Sequence, residues 1–477
     1  MLSINKKNNQ HKSVDLVLIM CPAWGVVQPP ISISYLKGFL EKGGIRVKCF
    51  DFSLELYKVF PEKKYWDLNY PEHFISQQLF DKDILPILMP FISVWGERIL
   101  QCNPRAVGFS LFMSTINISA ILAKYLRAVK PDLIIIGGGP EVTRLKKIII
   151  EGNKRIATIN KEVMAHGLFD VFIDGEGEKT LSEIVLEDDL AIIDGIMYYN
   201  EYNKIVVNRN RVLIPDLDIL PPPDYHDFEL NDYTKKSLPI ITSRGCINRC
   251  TFCADSPLWK KYRYSSPEKV VSDIKCMNRR YGRNEFEVVD SIFNGDLKRV
   301  AIICDLIIIN KLNIYWSAKM SLRKEMDRGF FERMRRAGCT SVAYGIESGS
   351  QKVLDDMRKN IDINEVKRII KDTWKAGIQA NCFFLIGYPT ETEEDFQMSL
   401  DFIRENSEFI HSFDQVTGCH IEEDSYLGLN LDKNGIILRT DGWHSQHSTP
   451  EVRRERLNRF RELARTLHKH YQCEVQQ

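Results

Sequence analysis

Cys246, Cys250 and Cys253 are the residues of this chain best placed to do chemistry. They stand four and three positions apart in Ser243-Arg-Gly-Cys-Ile-Asn-Arg-Cys-Thr-Phe-Cys253, with a glycine before the first and an aromatic before the last. That spacing gathers three soft thiolates on one short loop, close enough to bind a single compact inorganic centre. Thiolates suit zinc, copper(I) or iron–sulfur clusters. A structural zinc site is normally closed by a fourth Cys or His, yet the next cysteine, Cys276, stands alone in a segment of helical period. Three ligands without a fourth point to a cluster with one iron left open for a substrate or cofactor. The competing reading is a non-catalytic zinc- or cluster-binding protein.

The loop resembles that of the radical SAM (S-adenosylmethionine) superfamily. By that resemblance Cys246, Cys250 and Cys253 would hold a [4Fe–4S] cluster whose open iron chelates the amino and carboxylate groups of SAM. An electron from the cluster would then cleave the sulfonium to methionine and a 5′-deoxyadenosyl radical. Downstream, Gly345-Ile-Glu347-Ser348-Gly349 resembles the family's SAM ribose and methionine contact on the fourth strand. The resemblance implies SAM-binding roles for Gly345, Glu347 and Ser348. Glu347 could accept hydrogen bonds from ribose hydroxyls or the SAM amino group, or it could cap the helix that starts at Ser350. Gly387-Tyr-Pro-Thr-Glu391-Thr resembles a Gly-x-Pro-Gly-Glu-Thr turn near adenine, with Thr390 in place of the usual glycine. It implies a cofactor contact at Gly387. Asp290 ends the second strand, where the family often has an acidic residue near the active site.

These residues need a scaffold, and the hydrophobic pattern supplies one. Leu238–Ser243 reads as a strand that delivers the cluster loop at its carboxyl end, the face on which α/β barrels carry their sites. Strands then alternate with helices: 285–289, 314–318, 340–344 and 379–386 against 267–281, 300–309, 329–337 and 363–376. This fits the partial (β/α)6 barrel that the resemblance implies, over 236–415. In the strand 379–386, Cys382, Phe384 and Ile386 share one face. If that face lines the barrel, Cys382 could donate a hydrogen atom to a substrate radical; otherwise it is a buried small hydrophobe.

The amino-terminal part predicts an α/β domain over 14–200. Strands are expected at 14–20, 45–50, 106–110, 133–136 and 170–173, with helices at 31–42 and 116–129, giving a doubly wound, Rossmann-like parallel sheet. Such sheets bind ligands beyond the carboxyl ends of their strands. Three turns fall there: Ser110-Leu-Phe-Met-Ser114-Thr115, Gly137-Gly138-Gly-Pro140 and Asp174-Gly175-Glu176-Gly-Glu178. Their order, with Pro29-Pro30 before Tyr35-Leu36, resembles the cobalamin-binding domain that precedes the cluster domain in one branch of radical SAM enzymes. By that resemblance Ser110, Ser114, Gly137, Gly138, Gly175 and Glu176 would contact cobalamin. The Asp-x-His-x-x-Gly motif, which supplies a histidine to cobalt in other cobalamin proteins, is absent; the nearest string is Asp224-Tyr-His226-Asp-Phe-Glu229.

Around these domains the sequence predicts a disordered polar tail over 1–13, a linker over 201–235 that is entered through a 198–211 hairpin and holds a stiff Pro-rich strip at 220–224, and a carboxyl-terminal segment over 416–477. The last comprises a loop or lid followed by an amphipathic helix, 451–471. The 477 residues carry 65 Lys+Arg against 64 Asp+Glu, a net charge of +1, so no net field favours nucleic acid. The longest apolar run, Ile84–Trp95, is too short to span a bilayer and contains two prolines. Twelve cysteines without a secretory signal place the chain in a reducing cytoplasm. The resulting expectation is a radical SAM enzyme that methylates an unactivated carbon of a small-molecule, natural-product or peptide substrate with cobalamin, SAM and a [4Fe–4S] cluster. It would draw electrons from a partner such as flavodoxin or ferredoxin. The alternative is a cobalamin-independent peptide epimerase, or a cyclase or rearrangement enzyme, with Cys382 as hydrogen donor.

Overall fold

The run Leu16–Met20 forms β1, and every one of its side chains is buried, as a strand covered on both faces requires. It pairs in parallel with β2 (Val47–Asp51) on one side and β3 (Ala106–Ser110) on the other. With β4 (Ile134–Gly138), β5 (Val171–Ile173), β6 (Ile196–Tyr199) and β7 (Ile205–Val207) the sheet order is β2-β1-β3-β4-β5-β6-β7. The first five strands are parallel, and β6 and β7 run antiparallel. The winding reverses between β1 and β3, which makes their carboxyl ends the switch-point crevice of a doubly wound sheet.

These features come from a computed structural model that describes residues 14–66, 71–151, 167–187, 189–202, 204–255 and 259–467. The stretch read as a disordered tail lies outside the described residues, as do His468, His470 and Tyr471. The chain divides into two compact units. One comprises the residues up to Ile214 with Leu220–Lys235, the other Pro215–Ile219 with the residues from Lys236 on.

The 201–235 stretch is therefore not a free linker. β7 extends the first sheet, and Leu220–Lys235 covers the open edge of β2. Asp227 accepts from the Cys49 amide at 2.8 Å, from Lys48 at 2.8 Å and from the buried Lys37 at 2.5 Å. The Tyr233 hydroxyl donates to Asp51 at 2.8 Å. An uncovered edge would leave backbone groups free to pair with another chain. The helix Ile31–Lys42 seats the Pro-rich strip through Gly38, where an added Cβ would lie 2.6 Å from the carbonyl of Pro222. Between β2 and β3 the chain adds helices that the sequence pattern did not announce, the longest being Phe52–Val59 and Leu85–Gln101. The second contains the longest apolar run, and no described helix is long and apolar enough to cross a membrane.

The second unit is built on six parallel strands laid down in chain order: β8 (Leu238–Ile240), β11 (Glu285–Val288), β12 (Tyr315–Met320), β13 (Cys339–Glu347), β14 (Gln379–Ile386) and β15 (Ser412–Gly418). This is the singly wound order of a partial (β/α)6 barrel. A separate two-stranded clip, β9 (Ser243–Arg244) with β10 (Arg263–Tyr264), closes the base of the cysteine loop.

Alternation along the strands separates two faces. Val342, Tyr344 and Ile346 of β13, and Ala380, Cys382, Phe384 and Ile386 of β14, are buried. They lie under helices: Tyr344 shares a 2.9 Å hydrogen bond with Thr373 of the helix Ile363–Lys375, and Phe384 packs on Phe402 and Phe460. The intervening Ala343, Gly345, Glu347, Asn381, Phe383 and Leu385 form the partly exposed opposite face, the lumen.

The carboxyl-terminal segment is not a free lid either. Cys419, Leu427, Ile436 and Trp443 make a core with Val353, Met357 and Tyr388, and Phe252 of the cysteine loop packs against it. A short hairpin, β16 (Ile437–Arg439) with β17 (Gly442–His444), completes the segment. The helix Pro450–Leu467 then lays Phe460 on Phe384 and Phe413 at the barrel wall.

Candidate active site

The cysteine loop is set in place before it reaches its first thiol. Asp290, just beyond β11, is buried and accepts from the Thr242 amide at 2.6 Å, the Thr242 hydroxyl at 2.6 Å and the Ser243 hydroxyl at 2.7 Å. These bonds pin the start of the loop. Gly245, at φ +87°, then turns the chain where a Cβ would sit 2.6 Å from the Lys261 carbonyl. Thr251, between the second and third cysteines, ties the loop to three segments. Its amide donates to Met357 at 3.0 Å, its carbonyl accepts from Leu427 at 2.9 Å, and its hydroxyl meets that of Tyr388 at 2.8 Å. Asn248 adds a 3.0 Å bond to Ser321 beyond β12.

So held, Cys246, Cys250 and Cys253 are half-buried and unbridged. Cys250 feels the charge of Cys246, and Cys253 that of both Cys250 and Cys246. Burial pushes all three thiols up, Cys253 to about 12. The Lys359 ammonium pulls Cys246 and Cys250 back down, and its segment lies against the loop, because Met357 accepts from the amide of Thr251, the residue after Cys250.

That ammonium belongs to a second group of residues. β13 ends at Glu347, which takes the left-handed conformation at φ +72° beside an irregularity in register with β14. Its carboxylate pairs with Lys359 at 3.2 Å, both side chains being nearly buried. Gly345 is required beneath them: a Cβ there would collide with the Glu347 carboxylate and lie 3.2 Å from Lys359 Nζ. Ser348 points the other way. It is fully buried, near Ser399 of the helix Glu393–Asn406 at 3.3 Å, and accepts from the Ser350 amide. Its hydroxyl is therefore not on the lumen face, a correction to its expected SAM contact. Gly387, at φ +79°, donates its amide to Glu391 at 2.7 Å and accepts from Ser448 at 2.7 Å, so this turn is braced from behind.

In the first unit, the turns after β1 and β3 meet at the switch point. Trp24, after β1, stacks on Phe112, after β3, at 3.7 Å between ring centroids. Ser110 closes β3, its hydroxyl 3.5 Å from that of Ser32. Gly175, at φ +90°, has open space around it. Gly137 packs tightly, since a Cβ there would sit 2.9 Å from Leu111 and Phe172, whereas Gly138 has no neighbour nearer than 3.9 Å. Ser114 and Glu176 serve the scaffold: Ser114 donates to the Ala23 carbonyl at 2.7 Å, and the buried Glu176 accepts from the Ile214 amide at 2.6 Å.

Comparison with known proteins matches residues 240–403 to the radical SAM superfamily. Residues 240–403 of this chain are thus a radical SAM domain. It is 28% identical over 318 residues to an uncharacterized methyltransferase of Pyrococcus horikoshii, covering 65% of this chain and 66% of that protein. It is 23% identical over 426 residues to the cytidylyl-2-hydroxyethylphosphonate methyltransferase of Streptomyces wedmorensis, covering 79% and 73%. In fold it resembles the radical SAM methyltransferase TsrM of Kitasatospora setae, solved with cobalamin and a [4Fe–4S] cluster, at a TM-score of 0.62 and 17% identity over 90% of this chain and 81% of that one.

A radical SAM domain implies a [4Fe–4S] cluster and SAM. The donor set fits: three unbridged thiols on one braced loop, with a cation that acts on two of them. The lumen of the radical SAM domain fits a polar ligand as well. Asn381 faces it from β14, and its side-chain oxygen is buried without a hydrogen-bond partner among the described residues. A polar atom so placed is costly unless a bound molecule satisfies it.

Cys382 does not belong to this radical SAM site. The face it shares with Phe384 and Ile386 is the helix-covered one, so its thiol is fully buried opposite the lumen. Strand alternation fixed its companions, but only the packing of the helices decided which face points inward. Sequence reasoning missed Lys359, Thr251 and Asn381. For Lys359 a signal exists in retrospect, a lysine between Arg358 and Asn360 twelve residues after Glu347, though nothing local announces the ion pair.

Proposed function

We propose that this chain is a cobalamin-dependent radical SAM methyltransferase that methylates an unactivated carbon of a small-molecule, natural-product or peptide substrate. The observation that carries the reading is the union, in one chain, of a doubly wound sheet whose carboxyl edge has uncrowded glycines at 138 and 175 and a six-stranded radical SAM domain. TsrM joins a radical SAM methyltransferase to both cobalamin and a cluster in its solved form.

In this reading Cys246, Cys250 and Cys253 hold the cluster, Glu347 over Gly345 binds SAM, and the Gly387 turn contacts its adenine side. The loops at Ser110, Gly137–Gly138 and Gly175 receive cobalamin, with the Trp24–Phe112 stack offering a flat apolar wall at the switch point. When bound, the cluster and SAM supply a radical that removes a hydrogen atom from the substrate, and the corrinoid supplies a methyl group. The chain's own work is positioning and exclusion of water. Thr251 and Asn248 hold the thiols in register, and Phe252 seals one side of the loop against the Trp443 core. A low-potential reductase such as flavodoxin or ferredoxin would deliver electrons, and free thiols at the eleven described cysteines accord with a reducing cytoplasm. Thiol-quenched epimerisation loses its favoured donor, because Cys382 faces the helices.

The test is anaerobic reconstitution with iron, sulfide, SAM, a reductant and cobalamin. Bound iron and corrinoid are read by absorption spectrum, and 5′-deoxyadenosine by mass spectrometry, for wild type and Cys250→Ala. Tightly bound corrinoid in wild type and deoxyadenosine lost in the variant are expected. Cleavage without corrinoid uptake would remove the methyl transfer from the reading, and absence of both iron and cleavage would overturn it.

A further inference from the structure

Lys359 is placed as few lysines are. Its side chain is only 11% exposed, and a buried ammonium is costly unless an anion compensates it. The anion that pairs with it is Glu347, at 3.2 Å, and the ammonium also favours the thiolate forms of Cys246 and Cys250. Glu347 in turn acts on Cys250, so acid, base and sulfur form one electrostatic group.

The backbone is bent to put it there. Arg358 and Asn360, on either side, both lie in the left-handed region, at φ +56° and +52°. Each such residue without a glycine costs on the order of 1 kcal/mol, and such strain persists only where the surroundings impose it. The bend sends neighbouring side chains in opposite directions. Arg358 turns out to stack over Tyr426 at 4.1 Å, while Lys359 turns in. Its own amide caps the helix Gln351–Asp356 by donating to Leu354 at 3.0 Å, and Thr251 of the cysteine loop bonds to Met357 two residues earlier. The ammonium is thus tied through a few bonds to the same loop that carries the thiols. Gly345 keeps the space beneath it clear.

We propose that Lys359 and Glu347 form a paired electrostatic control of the [4Fe–4S] cluster, the lysine raising and the glutamate lowering its reduction potential. The inference rests on the reading of Cys246, Cys250 and Cys253 as the cluster ligands. Reduction adds one electron, and so one negative charge, to an already anionic cluster. A fixed cation close to the sulfurs stabilises the reduced form, and a fixed anion destabilises it. Because the two charges pair, they nearly cancel while both are present. Any ligand that donates hydrogen bonds to Glu347 would loosen its hold on Lys359 and let the cation act on the cluster. Lys359 is in this sense a positioning residue: it acts on the cluster and on Glu347, not on substrate.

The experiment is a redox titration of the reconstituted protein without SAM or corrinoid, followed by the low-temperature electron paramagnetic resonance signal of the reduced cluster. Lys359→Met is expected to move the midpoint potential to more negative values and Glu347→Gln to more positive ones. The double variant should return close to wild type, and Lys359→Arg should stay there. Iron content and the visible spectrum of each variant show whether the cluster is intact. Single variants that leave the potential unmoved, or move it in the same direction, would overturn the proposal. Should Lys359→Met lose the cluster, Glu347→Gln and Lys359→Arg still decide the question. A wild-type protein that assembles no cluster would instead defeat the underlying reading.

Discussion

Asp290 holds Thr242 by both its amide and its hydroxyl, each at 2.6 Å, so the strand before the cysteine loop is fastened to the end of its neighbour. The adjoining Arg299 is buried too and donates to the Thr242 carbonyl at 2.9 Å. Burial raises the pKa of Asp290, and the hydroxyl and amide donors oppose that rise. Asp290→Ala would strand three donors in the core and is expected to destabilise the second unit by about 3 kcal/mol. The check is a lowered denaturation midpoint with reduced iron loading. Asp290→Ala at wild-type iron content would refute the pinning role.

Cys382 offers a clean discrimination. Cys382→Ala is expected to retain wild-type deoxyadenosine formation and product yield, at a stability cost of about 1 kcal/mol for the small cavity left. Product analysis of the variant by mass spectrometry checks this. A variant that cleaves SAM yet makes no product would restore the thiol-donor chemistry.

Glu391 predicts a pH effect. It is fully buried, and its Oε2 accepts from the Gly387 amide at 2.7 Å and Arg456 at 3.2 Å, while Oε1 has no partner among the described residues. Burial outweighs the Arg456 charge and lifts the carboxyl from 4.5 to about 7. The folded state therefore binds the proton more tightly than the unfolded chain. The stability this lends is full below about pH 4.5 and is lost as pH rises to about 7. Glu391→Gln should flatten the fall in thermal midpoint across that interval. An unchanged slope in the variant would assign the effect to another group.

Asp227 should matter to the first unit alone. It satisfies Lys37, which is 6% exposed, and also Lys48 and the Cys49 amide. Asp227→Ala leaves the buried Lys37 ammonium with only the longer pairs to Glu41 at 3.7 Å and Asp224 at 3.9 Å, and is expected to cost about 3 kcal/mol. Limited proteolysis with mass mapping checks it: cleavage should rise within 220–235 while the cysteine domain keeps its iron. Equal protection in the variant would show that the strip does not depend on this contact.

Much of the chain could be read without coordinates. The spacing of Cys246, Cys250 and Cys253 determined a compact three-thiolate loop, because residues that close cannot separate by more than a few ångströms per step. Apolar runs of the right length determined the parallel strands and their order of appearance, since strands buried on both faces admit little else. Glycines at 345 and 387 marked positions where something must approach closely. The tertiary structure alone decided what approaches. It turned Cys382 towards the helices, because alternation fixes which side chains share a face but not which face meets the lumen. It folded Leu220–Lys235 onto the edge of β2 and residues 419–443 under Phe252, because both contacts join segments far apart in the chain. It also set Lys359 against Glu347 and the thiols, a pairing made by three backbone segments and by two residues held in a left-handed conformation that no sequence pattern specifies.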